Sequence, residues 1–203
     1  LERFNTDLAI KLCSSGVDLI LSCHFYPYDS SCLPPILRPD IDSVSASDQG
    51  HLLVYHSFQG RLTPIIAYAE QHPEKEIRVY GYPIPPRLVP DNLRFQQEAS
   101  RFISDLAGCE AYVGTAGFQT ICEAFYLGKK IVVQPIEGHY EQRWNAAQLE
   151  EVRMGRCLRG GLEAALAHPF NRRLHEQLLP WYRRGNLACY ERILQSAREA
   201  LGR

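Results

Sequence analysis

Short apolar runs alternate along this chain with segments in which apolar residues recur every three or four positions. The runs are typical of buried strands and the periodic segments are typical of helices. We predict strands at 52–55, 77–80, 92–95, 111–113 and 131–134. We predict helices at 63–71, 99–107, 120–127 and 142–151. Strands that alternate with helices predict a parallel sheet covered on both faces, and therefore an α/β fold of the Rossmann-like, doubly wound kind.

The N-terminal part of the chain differs from this alternating centre. Residues 1–16 predict a helix and residues 17–23 a strand, and a connector rich in proline and serine follows at 27–48. We therefore predict that residues 1–35 are the remnant of a preceding domain with its connector, and that residues 36–203 form the main domain.

The final third of the chain, from Leu162, has a helical pattern with breaks expected at Pro169, Pro180 and Gly185. Because the sequence starts at Leu1 rather than Met, we expect it to be a piece of a longer protein.

Composition and charge narrow the class of protein. Of the 203 residues 45% are apolar, which is enough for a hydrophobic core. The formal net charge of -1 gives no electrostatic reason to expect nucleic acid as a partner.

The apolar runs are too short to cross a bilayer, so we predict no transmembrane segment. We also predict a cytoplasmic location, with membrane association only through a preceding domain. The seven cysteines are scattered without zinc-like spacing, which predicts reduced thiols and no metal site.

The most informative stretch follows the predicted strand at 111–113 and leads into a helix that contains Glu123. A glycine turn between a strand and a helix directs free backbone N–H groups and the positive end of the helix dipole at one point, which favours a phosphate. Glu123, one turn inside the helix, can then reach a sugar hydroxyl on that phosphate; without such a ligand it would be an exposed helix residue. An ordinary βα turn is the alternative. The candidate residues are Gly114, Thr115, Ala116, Gly117, Gln119, Thr120 and Glu123.

A second polar segment, 134–146, follows the next predicted strand. Neighbouring strand ends of a parallel sheet meet at one edge, so this loop is expected to face the same crevice as the glycine turn. Its Glu141 and Gln142 offer a carboxylate and an amide, which suit the hydroxyl groups of a sugar; alternatively, one of them caps its helix. We expect Trp144 to be a core residue and His139 to be a loop residue rather than a base.

Two further segments contribute candidates. Ser57 follows the first strand of the main domain, where its hydroxyl is available to a phosphate, although a solvated turn serine is the alternative. Residues 101–107 begin an amphipathic helix and by themselves indicate no ligand.

Taken together, these segments resemble the donor-binding, C-terminal half of a GT-B glycosyltransferase that uses a nucleotide sugar. Residues 115–120 with Glu123 resemble the signature His-Cys-Gly-Trp-Asn-Ser-x-x-Glu of the UDP-glycosyltransferases, and residues 135–146 resemble their later signature. Residues 55–58 resemble their phosphate-side serine loop. Residues 102–107 are similar to a segment of the transferase that adds N-acetylglucosamine to the peptidoglycan lipid precursor.

The resemblance covers about residues 36–160 and implies a UDP-sugar as donor substrate, bound without a metal or other cofactor. The contacts it implies are Glu123 to the ribose hydroxyls, Ser57 and the turn 115–117 to the diphosphate, the Ile103 backbone to uracil, and Glu141 with Gln142 to the donor sugar.

The chain also departs from the family pattern. The phosphate-contacting histidine is Thr115, the asparagine is Gln119, and two additional residues lengthen the loop at 137–140. The acceptor and the catalytic base stay unassigned. We therefore expect the nucleotide-sugar-binding domain of an inverting glycosyltransferase, which transfers no sugar by itself. Two alternatives stay open: an epimerase of UDP-N-acetylglucosamine built on the same half-domain, and a non-catalytic nucleotide-binding module.

Overall fold

The structure, a computed structural model, describes residues 11, 14–17, 19–55, 62–83 and 89–202. Within these residues the chain forms a six-stranded parallel sheet in the order β3-β2-β1-β4-β5-β6. The strands are β1 (Leu52–Tyr55), β2 (Ile77–Tyr80), β3 (Leu93–Phe95), β4 (Ala111–Gly114), β5 (Lys130–Val133) and β6 (Arg156–Cys157). The chain winds outward from β1 in one direction and from β4 in the other, which confirms the predicted doubly wound, Rossmann-like fold.

Helices cover both faces of the sheet. They are α1 (Thr63–Gln71), α2 (Phe102–Gly108), α3 (Phe118–Tyr126), α4 (Tyr140–Glu151), α5 (Leu162–Leu166), α6 (Arg172–Arg183) and α7 (Gly185–Ala200), and two short 3-10 helices lie at Pro39–Ser43 and Ala99–Arg101. After α3, Gly128 adopts a φ of 69°, the left-handed conformation with which glycine commonly ends a helix.

Two hydrophobic cores hold the helices against the sheet. Leu53 and Tyr112 belong to one core, which α2, α3, α4 and α6 complete. Leu52 and Val113 belong to the other, which α1 and α5 complete. Successive residues of a strand point to opposite faces, so a strand buried on both faces is apolar throughout. This burial explains why short unbroken apolar runs predicted the strands.

Three features differ from the sequence-based predictions. The described residues of 17–23 form no strand. A strand needs a hydrogen-bonded partner along its length, and the pairing described here is a single isolated bridge from Cys23 to Leu33. Helix α6 continues through Pro180, which removes one backbone hydrogen bond near the helix end, while Leu178 and Tyr182 anchor that end by burial. The two-residue strand β6 was too short to predict. The predicted helix at 1–16 lies largely outside the described residues.

Candidate functional site

The topological switch point of the sheet lies between β1 and β4. The carboxyl ends of these adjacent strands, Tyr55 and Gly114, are register partners. Ligands of doubly wound sheets bind in the crevice that opens where the winding direction reverses. Ser57, on the loop after β1, lies outside the described residues, so its assignment stays a prediction. The turn after β4, residues 115–117, forms the described wall of the crevice.

The turn 115–117 is fixed by hydrogen bonds to other elements. The Thr115 backbone N–H donates to the Tyr55 carbonyl oxygen at 3.3 Å. The Asn145 side-chain Nδ2 group, from α4, donates to the Ala116 carbonyl oxygen at 3.1 Å. Thr115, Ala116 and Asn145 are all buried. The turn is therefore held in one conformation by both β1 and α4.

The N-terminus of α3 is open. The helix begins at Phe118 after Gly117, and no side chain among the described residues makes a capping hydrogen bond to it. The first N–H groups of an α-helix have no partner within the helix. Together with the helix dipole, these N–H groups make the end of α3 a place where an anion is stabilised.

A cavity of about 440 Å³ adjoins the start of α3. Gln119 and Thr120 line it from α3, and Tyr55, Tyr80 and Phe102 line it from the sheet edge and α2. The Phe102 ring meets the rings of Tyr55 and Tyr80 edge-on, at centroid distances of 5.4 Å and 5.1 Å. An aromatic-lined cleft of this size with a few polar groups is typical of small-ligand sites.

Glu123 is fully buried, so the expectation that it would be exposed in the absence of a ligand is wrong. The Arg38 guanidinium covers its carboxylate: Arg38 Nε donates to Glu123 Oε1 at 2.7 Å, and Arg38 Nη2 donates to Oε2. The Gln119 side chain also donates to Oε1, at 2.8 Å. Hydrogen bonding to Glu123 raises the pKa of Arg38 above its ordinary value, although burial acts in the other direction. A carboxylate without charge-assisted partners would be costly at this depth.

A second cavity, of about 350 Å³, adjoins Phe118, the first residue of α3. Phe118, Glu141 and Trp144 line it together with His24 from the N-terminal segment. Trp144 is 54% exposed, so the prediction that it is a core residue is wrong. Its ring forms a wall of this cavity because it lies on the face of α4 that the core does not cover.

Glu141 and Gln142 are adjacent in sequence but have different surroundings. Glu141 is exposed at the second cavity, whereas Gln142 is buried and its Oε1 accepts from the Ile136 backbone N–H at 3.0 Å. His139 Nδ1 accepts from the Gln142 N–H at 3.4 Å and so caps α4. Gln142 therefore ties its own loop to the helix. Its assignment to a donor sugar stays a prediction.

Ile103, assigned to the base by the resemblance, is buried in the hydrophobic core, and its neighbour Phe102 lines the larger cavity. A contact between the Ile103 backbone and a base stays a prediction. The described residues contain no group of three or more His, Cys, Asp or Glu arranged to hold a metal ion, and the six cysteines among them are free. No helix in the described part of the chain is long and apolar enough to cross a membrane.

Residues 2–174 match the profile of glycosyl transferase family 1, which is most of the chain. The chain belongs to glycosyl transferase family 1. A comparison with curated protein sequences gives no match.

The fold of this family 1 domain is similar to solved glycosyltransferases. The glycotransferase of kitacinnamycin aligns with a TM-score of 0.62 and 14% identity, over 85% of the chain and 52% of that protein. CalG4, the calicheamicin glycosyltransferase, aligns with a TM-score of 0.60 and 21% identity, over 100% of the chain and 60% of CalG4. SnogD from Streptomyces nogalater aligns with a TM-score of 0.53 and 17% identity, over 81% of the chain and 49% of SnogD. These likenesses confirm the predicted GT-B fold, and the chain spans about half to three fifths of the length of these proteins.

Proposed function

We propose that this domain binds a UDP-sugar and is the donor-binding half of an inverting glycosyltransferase. The observation that carries the proposal is the open N-terminus of α3 between two cavities. Phe118 lines the smaller cavity, and Gln119 and Thr120 line the larger one. A diphosphate bound to the N–H groups of α3 would extend its nucleoside into the larger cavity and its sugar into the smaller one.

Each cavity contains groups suited to its part of this ligand. The rings of Phe102 and Tyr55 give the larger cavity apolar surface for a pyrimidine base. Glu123 is the proposed carboxylate for the ribose hydroxyls; it is buried beneath the Arg38 guanidinium, which has to move aside for that contact. In the smaller cavity, the Glu141 carboxylate accepts hydrogen bonds from hydroxyl groups of the sugar. Trp144 offers the face of its ring to the same sugar.

The chemistry required of this half is stabilisation of a leaving group. When a glycosidic bond to UDP breaks, negative charge grows on the diphosphate, and the N–H groups and dipole of α3 stabilise it in place. The acceptor site and the base belong to the remainder of the enzyme in this proposal. The family match supports a transferase over an epimerase or a non-catalytic module.

Calorimetric titration of the domain with UDP, UMP and ADP tests the proposal. We expect UDP to bind more tightly than UMP, because the second phosphate adds contacts to α3, and ADP to bind more weakly than UDP. No binding of any of the three at millimolar concentration would overturn the proposal, and a preference for ADP would overturn the assignment of uracil.

Glu123→Gln tests the ribose contact. Charge-assisted hydrogen bonds contribute about 1.5–3 kcal/mol, so the variant should bind UDP roughly tenfold to a hundredfold more weakly. The 2′-deoxy analogue dUDP should bind poorly to the wild type and lose little more on mutation. Glu110→Gln is the matched control, because Glu110 also pairs with cations, Lys75 and Lys130, but precedes β4 at the opposite edge of the sheet. Equal UDP affinity in Glu123→Gln and the wild type would remove Glu123 from the site.

A further inference from the structure

A residue from outside the α/β core covers the Glu123 carboxylate beside the larger cavity. Arg38 precedes the short 3-10 helix Pro39–Ser43 and lies 85 positions before Glu123. Its guanidinium makes a two-pronged contact with the Glu123 carboxylate and lies 5.4 Å from the centroid of the Phe102 ring. The same guanidinium thus covers both the predicted ribose ligand and the aromatic wall of the larger cavity.

The segment that carries Arg38 is docked at several points. The Ile36 carbonyl oxygen accepts from Gln119 Nε2 at 3.0 Å, and Leu37 and Ile41 are buried in the core. Gln119 Nε2 donates to both this carbonyl and Glu123 Oε1. The Arg38 side chain itself remains 41% exposed, so it can move toward solvent without unpacking the segment.

Whatever replaces Arg38 has to satisfy the buried Glu123 carboxylate, and Arg38 in turn needs another anion. The Glu123 carboxylate is fully buried and needs hydrogen-bond donors whenever the guanidinium leaves. Two ribose hydroxyls supply donors, but they supply no positive charge, and the released guanidinium loses its counter-ion. Glu123 is the sixth residue of α3, about 8 Å along the axis from the first at 1.5 Å per residue. A diphosphate at that helix end is therefore within reach of an arginine side chain and restores a partner for it.

We propose that Arg38 is a specificity-determining residue that exchanges Glu123 for the diphosphate when a nucleotide binds, and so selects nucleoside diphosphates over uncharged nucleosides. A nucleoside breaks the ion pair and leaves Arg38 without an anion. A nucleoside diphosphate breaks the same pair and provides another. This inference rests on the proposed function, because it takes Glu123 as the ribose ligand.

The test compares UDP with uridine by calorimetry in the wild type and in Arg38→Ala. In the variant the ribose no longer competes with a guanidinium, so uridine should bind more tightly, by about threefold to tenfold. UDP loses its contact with Arg38 and should bind about tenfold more weakly. The dissociation constant of uridine divided by that of UDP should therefore fall by roughly 30-fold to 100-fold. Arg173→Ala, an exposed arginine on α6, is the control and should leave the ratio unchanged.

UDP binding by the wild type separates the role of Arg38 from the proposed function. UDP binding to the wild type with an unchanged ratio in Arg38→Ala would overturn the role of Arg38 alone, whereas no UDP binding to the wild type would overturn both. If Arg38→Ala does not fold, because Glu123 is left buried and unpaired, the double variant Arg38→Met with Glu123→Gln removes both charges. It should fold, and UDP should still raise its melting temperature more than uridine does, through the N–H groups of α3, but by a smaller margin than in the wild type. A preference for UDP as large as that of the wild type in this variant would contradict the exchange.

Discussion

The sulfur atoms of Cys23 and Cys189 lie 3.8 Å apart, although 166 positions separate the two residues along the chain. Cys189 is buried in α7, and Cys23 lines the smaller cavity at the α3 N-terminus. Close to this contact, the Tyr182 hydroxyl of α6 donates to the Phe25 carbonyl oxygen at 2.9 Å. The C-terminal helices therefore hold the N-terminal segment in place, and that segment forms the wall opposite Glu141.

We expect Cys23 to react slowly with alkylating reagents. Burial, followed by the hydrogen bond and the charge of the neighbouring Cys189 sulfur, raises the pKa of the Cys23 thiol to about 11. Because the thiolate is the reactive form, alkylation of Cys23 by iodoacetamide should be slow at pH 8 and should accelerate about tenfold per pH unit up to about pH 11. Cys189→Ala removes two causes of the raised pKa, so Cys23 should be labelled faster at pH 8. Peptide mass spectrometry measures the rates, and Cys32→Ala is the control. Equal rates in Cys189→Ala and the wild type would contradict the assignment.

Gly114, at the end of β4, and Gly117, in the turn that follows, should respond differently to the same substitution. A Cβ at Gly114 would lie 2.2 Å from the Tyr112 hydroxyl oxygen and 2.7 Å from the Tyr55 carbonyl oxygen. A Cβ at Gly117 meets nothing within 4 Å, and the φ of Gly117, -73°, is one that alanine adopts. Gly114→Ala should therefore lower the free energy of unfolding by about 1–3 kcal/mol, as overpacked cores do.

Gly117→Ala should unfold like the wild type but bind UDP more weakly, because its methyl group stands beside the N–H groups of α3. Urea denaturation followed by circular dichroism measures the first effect, and calorimetry measures the second. Equal stability of the two alanine variants would show that β4 yields to the added methyl. Undiminished UDP affinity in Gly117→Ala would count against a phosphate at this turn.

Local patterns were sufficient to predict five of the six strands of the sheet. The bounds predicted for β1, β2 and α1 agree with the structure residue for residue. These elements are buried on one or two faces, and burial leaves its period directly in the sequence. The glycine turn after β4 was visible for a similar reason, since a tight connection from a strand to a helix restricts which residues fit.

Arg38 could not be predicted in this way. Its contact joins positions 85 apart and depends on how a proline-rich connector folds back over the sheet edge. The composition of that connector is typical of an exposed linker, so it indicated a boundary and no ligand-binding role. The prediction that Trp144 is buried was wrong for a different reason. Hydrophobicity predicts burial, but whether a helix face is covered depends on which neighbouring elements the fold places there.

A buried polar network beneath the larger cavity should contribute strongly to stability. The Asp105 carboxylate, 5% exposed, accepts from the Tyr80 hydroxyl at 2.5 Å and from Arg78 Nη1 at 2.7 Å. Asp105→Ala leaves the hydroxyl and part of the guanidinium without a partner. We expect it to lower the free energy of unfolding by about 3 kcal/mol. For a domain of this size the melting temperature should fall by roughly 6–12 °C.

Tyr80→Phe provides the graded comparison for this network. It removes one hydrogen bond and keeps the ion pair, so the free energy of unfolding should fall by only about 1 kcal/mol. Arg78 also keeps its contact with Glu76, at 2.9 Å. Differential scanning calorimetry of both variants measures the effects. If Asp105→Ala were no more destabilising than Tyr80→Phe, the ion pair would make no net contribution to stability.

The same region should make the domain less stable in mild acid. His51 is 1% exposed, and its Nε2 donates to the Asp105 carbonyl oxygen at 2.9 Å. Burial, and then the positive charge of Arg78, lower the pKa of His51, while Asp105 and Glu76 act in the other direction with a smaller net effect. The folded pKa therefore lies below the unfolded one, so the unfolded chain binds the proton first as the pH falls. Stability should be fully present well above pH 6.5 and should decline as the pH falls through that value.

His51→Gln isolates this contribution, because glutamine can still donate to the Asp105 carbonyl but does not titrate. Urea midpoints at pH 7.5 and pH 5 should differ less in His51→Gln than in the wild type. Part of the decline should remain, since burial also lowers the pKa of His168. The double variant with His168→Gln should reduce the decline further. If the midpoint of His51→Gln fell with pH as steeply as that of the wild type, His51 would not be the group that takes up the proton on unfolding.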